Sequence, residues 1–260
     1  MGEFSTIFER VADNMNARKN LDVNSFMQNV MRDESDNPIE LAEIHEAWHE
    51  HVNWCFENKM FCGILAPWGH GKSVQMAIGR SLWEIGQNHN IRMKIISAAD
   101  EIATSRIAVI KSCIEDEQSE FRKLFSDVEA DSGKPWTGSK IFIKRDGMSS
   151  DPTIQACSIL SNQMGARADI IMFDDVVDLR NAILNPGLRE KVKEAFRSAW
   201  LSRLEPTGRV IYIATVWHED DLSMELLSNE KFSFLIQSVN DAMDGIECRY
   251  TNRKVGGGDG

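Results

Sequence analysis

The chain has no apolar run near the roughly 18–20 residues that a membrane-spanning helix needs. Its opening, MGEFSTIFERVADNMNARKN, carries acidic residues and no apolar stretch, so it does not read as a signal peptide. Cysteine is sparse and unpaired in pattern: there are five, Cys55, Cys62, Cys113, Cys157 and Cys248, none at CxxC spacing. That argues against a disulfide framework and against a thiolate zinc site, and it fits a reducing, intracellular setting. Positive charge is in deficit, 29 Lys and Arg against 40 Asp and Glu, for a net charge of −11. A protein that coats nucleic acid with its whole surface is thereby excluded, although a local basic face is not. No internal repeat is visible. The 260 residues, 42% hydrophobic and 27% charged, suffice for one large core or a core with a small appendage.

Periodicity supplies the elements. Residues 1–37 are polar and read as a short helix and linker. In 39–55, Leu41, Ile44, Trp48, Val52 and Cys55 fall on one helical stripe. The apolar run MFCGILA breaks at Pro67 and reads as a buried strand, followed by helix from Lys72 to about Gln87. Strands are expected at 91–99, 153–160, 168–175, 208–215 and 232–239, with a short one in KIFIK. Helical patterns cover 100–125 and Pro186 to Leu204, with Pro186 suited to a first turn. Alternating strands and helices imply an α/β fold with a mostly parallel sheet covered on both faces. Ligands of such sheets bind at the C-terminal ends of the strands, which is where the informative residues lie.

Three strand ends carry chemistry. APWGHGKS (66–73) follows a strand and opens a helix, the setting of a phosphate-binding loop, although Ala66 stands where the first glycine of that pattern belongs. Gly69 and Gly71 allow close backbone approach to phosphates, Lys72 would reach the β- and γ-phosphates, and Ser73 would ligate Mg²⁺. In ADIIMFDDVVD an apolar strand runs into two acids: Asp174 is assigned to the metal and Asp175 to the attacking water. In RVIYIATVWHEDDL, Thr215 at the strand end would either sense the γ-phosphate or cap the helix that follows.

Together APWGHGKS, ARADIIMFDDVVD and, most specifically, LSRLEPTGRVIYIATVWHEDDL resemble the ATPase domain of the large terminase subunit of tailed bacteriophages, over about residues 38–240. The resemblance implies a P-loop NTPase of the ASCE type with a small N-terminal helical extension (1–37), an ATPase domain (38–240) and a linker or truncated tail (241–260). It implies ATP and Mg²⁺ as cofactors. Lys72 and Ser73 become Walker A residues, with Pro67, Gly69, His70, Gly71 and Val74 completing the nucleotide-binding loop. Asp174 becomes the Walker B acid, and Thr215 the residue coupling hydrolysis to movement. Asp175 stands where many members carry glutamate and is kept as the catalytic carboxylate. Trp68 stands where many carry arginine, so the transition-state charge must come from elsewhere. Arg167 is the first choice, supplied by a neighbouring subunit, and Arg203 the second. The helix at 39–55 lies where the family contacts adenine, which nominates His45, or Trp48, for the base.

The implied activity is ATP hydrolysis driving double-stranded DNA into a viral procapsid in the host cytoplasm. The implied partners are the portal protein, the small terminase subunit and further copies forming a ring on the portal, with a monomer in isolation; the mature virion is not expected to retain the protein. Nuclease activity is not expected, because nothing after VGGGDG supplies the clustered acids of a nuclease domain. Lys134, Lys140, Lys144 and Arg145, and Arg249, Arg253 and Lys254, are the basic positions nominated for DNA. Two other readings compete: a nucleotide-binding assembly module with little hydrolysis, and a helicase-like ATPase that lacks a second motor domain. A different chemistry is offered by HEAWH (45–49), which satisfies the zinc-protease pattern with His45 and His49 as ligands and Glu46 as base, but no third ligand is in view.

Overall fold

The computed structural model describes residues 18, 21–33, 35–147, 149–162, 165–239 and 246–253. Its frame is one eight-stranded sheet. In chain order the strands are β1 (Phe61–Leu65), β2 (Met93–Ser97), β3 (Lys140–Ile141), β4 (Ile154–Ser158), β5 (Ala168–Asp174), β6 (Leu204–Ala214), β7 (Phe232–Val239) and β8 (Ile246–Tyr250). In space they run β3-β4-β2-β5-β6-β1-β7-β8. The six central strands are parallel, and β3 and β8 close the two edges antiparallel.

Period-two alternation sends each strand's side chains to two different cores. Cys62 and Ile64 of β1, Ile95 of β2, Met172 of β5 and Ile211 of β6 face one of them. The helices over this face are α1 (Val23–Val30), α2 (Glu43–Glu57), α3 (Ser73–Gln87), α4 (Asp100–Glu115) and α5 (Glu120–Leu124). The intervening residues Leu65, Ile96, Phe173 and Tyr212 face the other core, with Phe196 and Trp200 of α6 (Pro186–Arg203) and Leu222 and Leu226 of α7 (Leu222–Leu227). The first eight residues of α3, directly after the phosphate-loop sequence, are wound in wider π-helical geometry.

The expected doubly covered sheet is present, and two boundaries change. Residues 241–260 read as linker or tail, yet Ile246–Tyr250 pairs in register along β7. An edge strand needs one partner only and can be rich in polar residues, so CRY and its neighbours gave no strand pattern. At the other end, α1 belongs to the main core: Phe26 and Met27 are fully buried, and Met27 lies against Gly79 of α3, where a Cβ would meet its Cε at 2.1 Å. Residues 1–17 and Lys254 lie outside the described residues. Among those described, no helix is long and apolar enough to cross a membrane.

Candidate nucleotide-binding site

The sheet order places β5, β6 and β1 side by side, so the three motif-bearing strand ends meet at one edge. From β1 the chain turns through Pro67 and an outlying Trp68, 82% exposed, into Gly69 (φ +83°) and Gly71 (φ +73°). Such left-handed geometry favours glycine. Gly71 is followed at once by right-handed Lys72 (φ −44°, ψ −53°). A left-handed residue beside a right-handed one is the backbone pattern in which successive N–H groups converge on an anion, here at the start of α3. Val74, the next residue but one, is 39% exposed.

Lys72 is buried, and its Nζ donates to the carbonyls of Ala66 (3.0 Å) and Pro67 (2.9 Å) and to Thr215 Oγ1 (2.9 Å). An ammonium has three protons, so this set uses all of them. Burial lowers the Lys72 pKa, opposed by the charges of Asp175 and Asp174. The Thr215 hydroxyl accepts from Lys72 and donates to Ala66 O at 3.2 Å, while its N–H donates to Asp175 Oδ1, also at 3.2 Å. Thr215 therefore touches the lysine and the second acid at once. Capping of α7 falls to Asp221, whose side chain accepts from Met224 N.

Asp174, the last residue of β5, is completely buried. Its Oδ1 accepts from the Ser73 hydroxyl at 2.8 Å, and its Oδ2 from Arg106 Nε at 2.9 Å. Asp175 follows with φ +46°, an uncommon conformation for a residue with a Cβ, and its amide is held by Ile213 O at 2.9 Å. Burial raises the Asp175 pKa; Lys72 opposes that and neighbouring Asp174 adds to it.

Arg106 was not legible in the sequence. It projects from α4, which starts just beyond the tip of β2, and β2 is hydrogen-bonded to β5. Only that sheet order shows which carboxylate it meets. The two arginines nominated from sequence lie at the other end of the sheet. Arg167 is exposed and immediately precedes β5, whose last residue is Asp174, seven positions further on. At about 3.3 Å per residue that is roughly 20 Å, so Arg167 cannot serve its own site. Arg203 ends α6 just before β6 and is equally remote.

His45 and His49 are both engaged by protein groups. His45 Nδ1 accepts from Ala42 N–H (3.2 Å), which leaves Nε2 protonated to donate to His70 O (3.1 Å). The ring thus supports the loop, both nitrogens are engaged, and a base could meet only its carbon edge. Trp48 is fully buried, as its stripe implied. His49 Nε2 donates to Gln75 Oε1 at 3.2 Å within the core. The two imidazoles of HEAWH are spent on α3 and its loop, not on a common metal. Among the described residues, the three side chains that come within metal-ligating distance of one another are His51, Cys55 and Cys62, all buried. His51 Nε2 lies 3.0 Å from Ser233 O, which ties α2 to β7, and burial raises the pKa of Cys62 on β1 well above its ordinary value.

Of the nominated basic residues, Lys134 donates to Ser149 O (2.6 Å), Arg145 to Asp151 O (2.7 Å) and Lys144 pairs with Glu129. Arg253 lies over the rings of Tyr250 and Trp54.

Glycines at a strand-to-helix turn, two acids at the tip of β5 and a threonine at the tip of β6 define the class as an α/β protein of P-loop fold. No protein-family model matches the chain. Over 183 residues, 69% of its length, it is 27% identical to the large terminase subunit of Enterobacteria phage T3, of which it covers 30%. The crystal structure of the HK97 bacteriophage large terminase superposes with a TM-score of 0.56 at 13% identity, over 80% of this chain and 40% of that one. The chain is thus similar to large terminase subunits in sequence and in fold, and it spans less than half the length of either of these two proteins.

Proposed function

We propose that this chain binds ATP with a divalent metal ion and hydrolyses it, as the ATPase of a motor that packages double-stranded DNA into a phage procapsid. The observation that carries this reading is the contact set Lys72–Thr215–Asp175 beside Ser73–Asp174, which joins three strand ends through side chains within 2.8–3.2 Å of their partners. Lys72 would exchange its protein acceptors for phosphate oxygens, with the loop from Pro67 to Val74 around them. The Ser73 hydroxyl and the Asp174 carboxylate are adjacent hard oxygen donors, a set that fits Mg²⁺. When bound, the ion would neutralise charge on the phosphates. Asp175, with its pKa raised by burial, is suited to orient the attacking water and accept its proton. Thr215 contacts both the lysine and this acid, so loss of the γ-phosphate would be felt on β6.

Arg167 would complete a neighbouring copy's site in a ring on the portal protein, with the small terminase subunit as a further partner and the host cytoplasm as the setting. Phosphate release from Mg²⁺–ATP tests the reading. Lys72→Ala is expected to abolish nucleotide binding, and Asp175→Asn to retain binding while losing about 100-fold or more in turnover. Unchanged turnover in Asp175→Asn would displace that residue from its role. Nucleotide binding without any hydrolysis by the wild type would favour an assembly module.

A further inference from the structure

We propose that Arg106 is an exchangeable cation of this site, a positioning residue that competes with the divalent metal for Asp174 and is released when the metal takes that carboxylate. The inference rests on the reading of Ser73 and Asp174 as the metal-holding pair. Three observations carry it. Asp174 is fully buried, and a buried carboxylate requires a compensating charge. Arg106 supplies one through a single contact, Nε to Oδ2 at 2.9 Å, while Oδ1 is taken by Ser73. Among the described residues, the remainder of the guanidinium is weakly held: Nη1 reaches only its neighbour Ser105 Oγ, at 3.4 Å, and the side chain is 25% exposed.

Lys72 is differently placed. It is buried on three acceptors of the loop and β6, with no hydrogen bond to Asp174. A divalent ion and the Arg106 guanidinium would therefore seek the same Oδ2 lone pairs, and the ion, carrying more charge, would displace it. The freed guanidinium sits on α4 at the strand-end edge of the sheet, where an anionic nucleotide could receive it.

Equilibrium binding of a fluorescent, non-hydrolysable ATP analogue, titrated with Mg²⁺, provides the test. Wild type, Arg106→Ala and Arg106→Lys are compared, with circular dichroism and thermal melting to establish folding. Removing the competitor should lower the Mg²⁺ concentration at half-saturation by about three- to tenfold in Arg106→Ala. Arg106→Lys, which keeps the charge, should stay nearer to wild type. A residue with a merely structural role would move the melting temperature and leave the Mg²⁺ midpoint in place, and that result would overturn the proposal. If Arg106→Ala does not fold, Arg106→Gln is read by the same criterion. Absence of Mg²⁺-dependent binding in the wild type would instead overturn the nucleotide reading, and this proposal with it.

Discussion

At the residue scale, a few side chains are held by partners that would have to be exchanged for function. Lys72 spends its protons on two loop carbonyls and Thr215, and Asp174 divides its oxygens between Ser73 and Arg106. His49 illustrates the opposite case, a buried group with a structural task. Burial pushes its pKa down to about 3, with the positive charge of Arg80 in support and the Gln75 bond opposing. The unfolded chain binds this proton near pH 6.5 and the folded chain does not, so stability is full above that pH. It falls between about pH 6.5 and 3, by at most about 1.4 kcal/mol per pH unit from this group. Urea unfolding at pH 7 and pH 4.5 should show a shallower acid-side loss in His49→Gln; an identical loss would show that His49 is not the group responsible. Lys72, Ser73, Asp174, Asp175 and Thr215 were legible because each ends or follows an apolar strand run. Arg106 was not, because a sequence shows a residue and not what it faces.

Among the elements, the loop from Thr215 to Asp221 links the site to α7. Asp221 is buried; Oδ2 accepts from Trp217 N (3.0 Å) and His218 N (3.1 Å), and Oδ1 from Met224 N (3.1 Å). One carboxylate thus fixes the loop and caps the helix. Asp221→Ala should cost about 2 kcal/mol in urea unfolding, with Asp221→Asn recovering part of it. A loss within the ordinary scatter of surface substitutions, about 0.5 kcal/mol, would contradict this. Long apolar strands and amphipathic helices were readable from period alone. The edge strand β8 and the six-residue turn of π-helix at Leu179–Leu184 were not, since the first satisfies one neighbour only and the second is too short to show a period.

For the whole molecule, the strand order decides which residues can act together. It brings Lys72, Asp174, Asp175 and Thr215 to one end of the sheet and leaves Arg167 roughly 20 Å away, at the other end of β5. On the proposed reading, an arginine so placed would act in another copy's site. Mixing Arg167→Ala with Lys72→Ala should then restore ATP turnover that neither variant has alone, since one retains a sound pocket and the other a sound arginine. No recovery at any mixing ratio would remove Arg167 from the reaction. The net charge of −11 and the internal partners of Lys134, Lys144 and Arg145 leave little diffuse positive surface, so contact with DNA would have to be local.

The central claim is that the Asp175 carboxylate drives hydrolysis of a nucleotide held by Lys72 and its loop. Single-turnover phosphate release from pre-bound ATP, at matched occupancy of wild type and Asp175→Asn, tests it most directly. Hydrolysis by the wild type, with Asp175→Asn slower by about 100-fold or more, is the predicted result. Equal rates in the two proteins, or bound ATP that the wild type never cleaves, would contradict it.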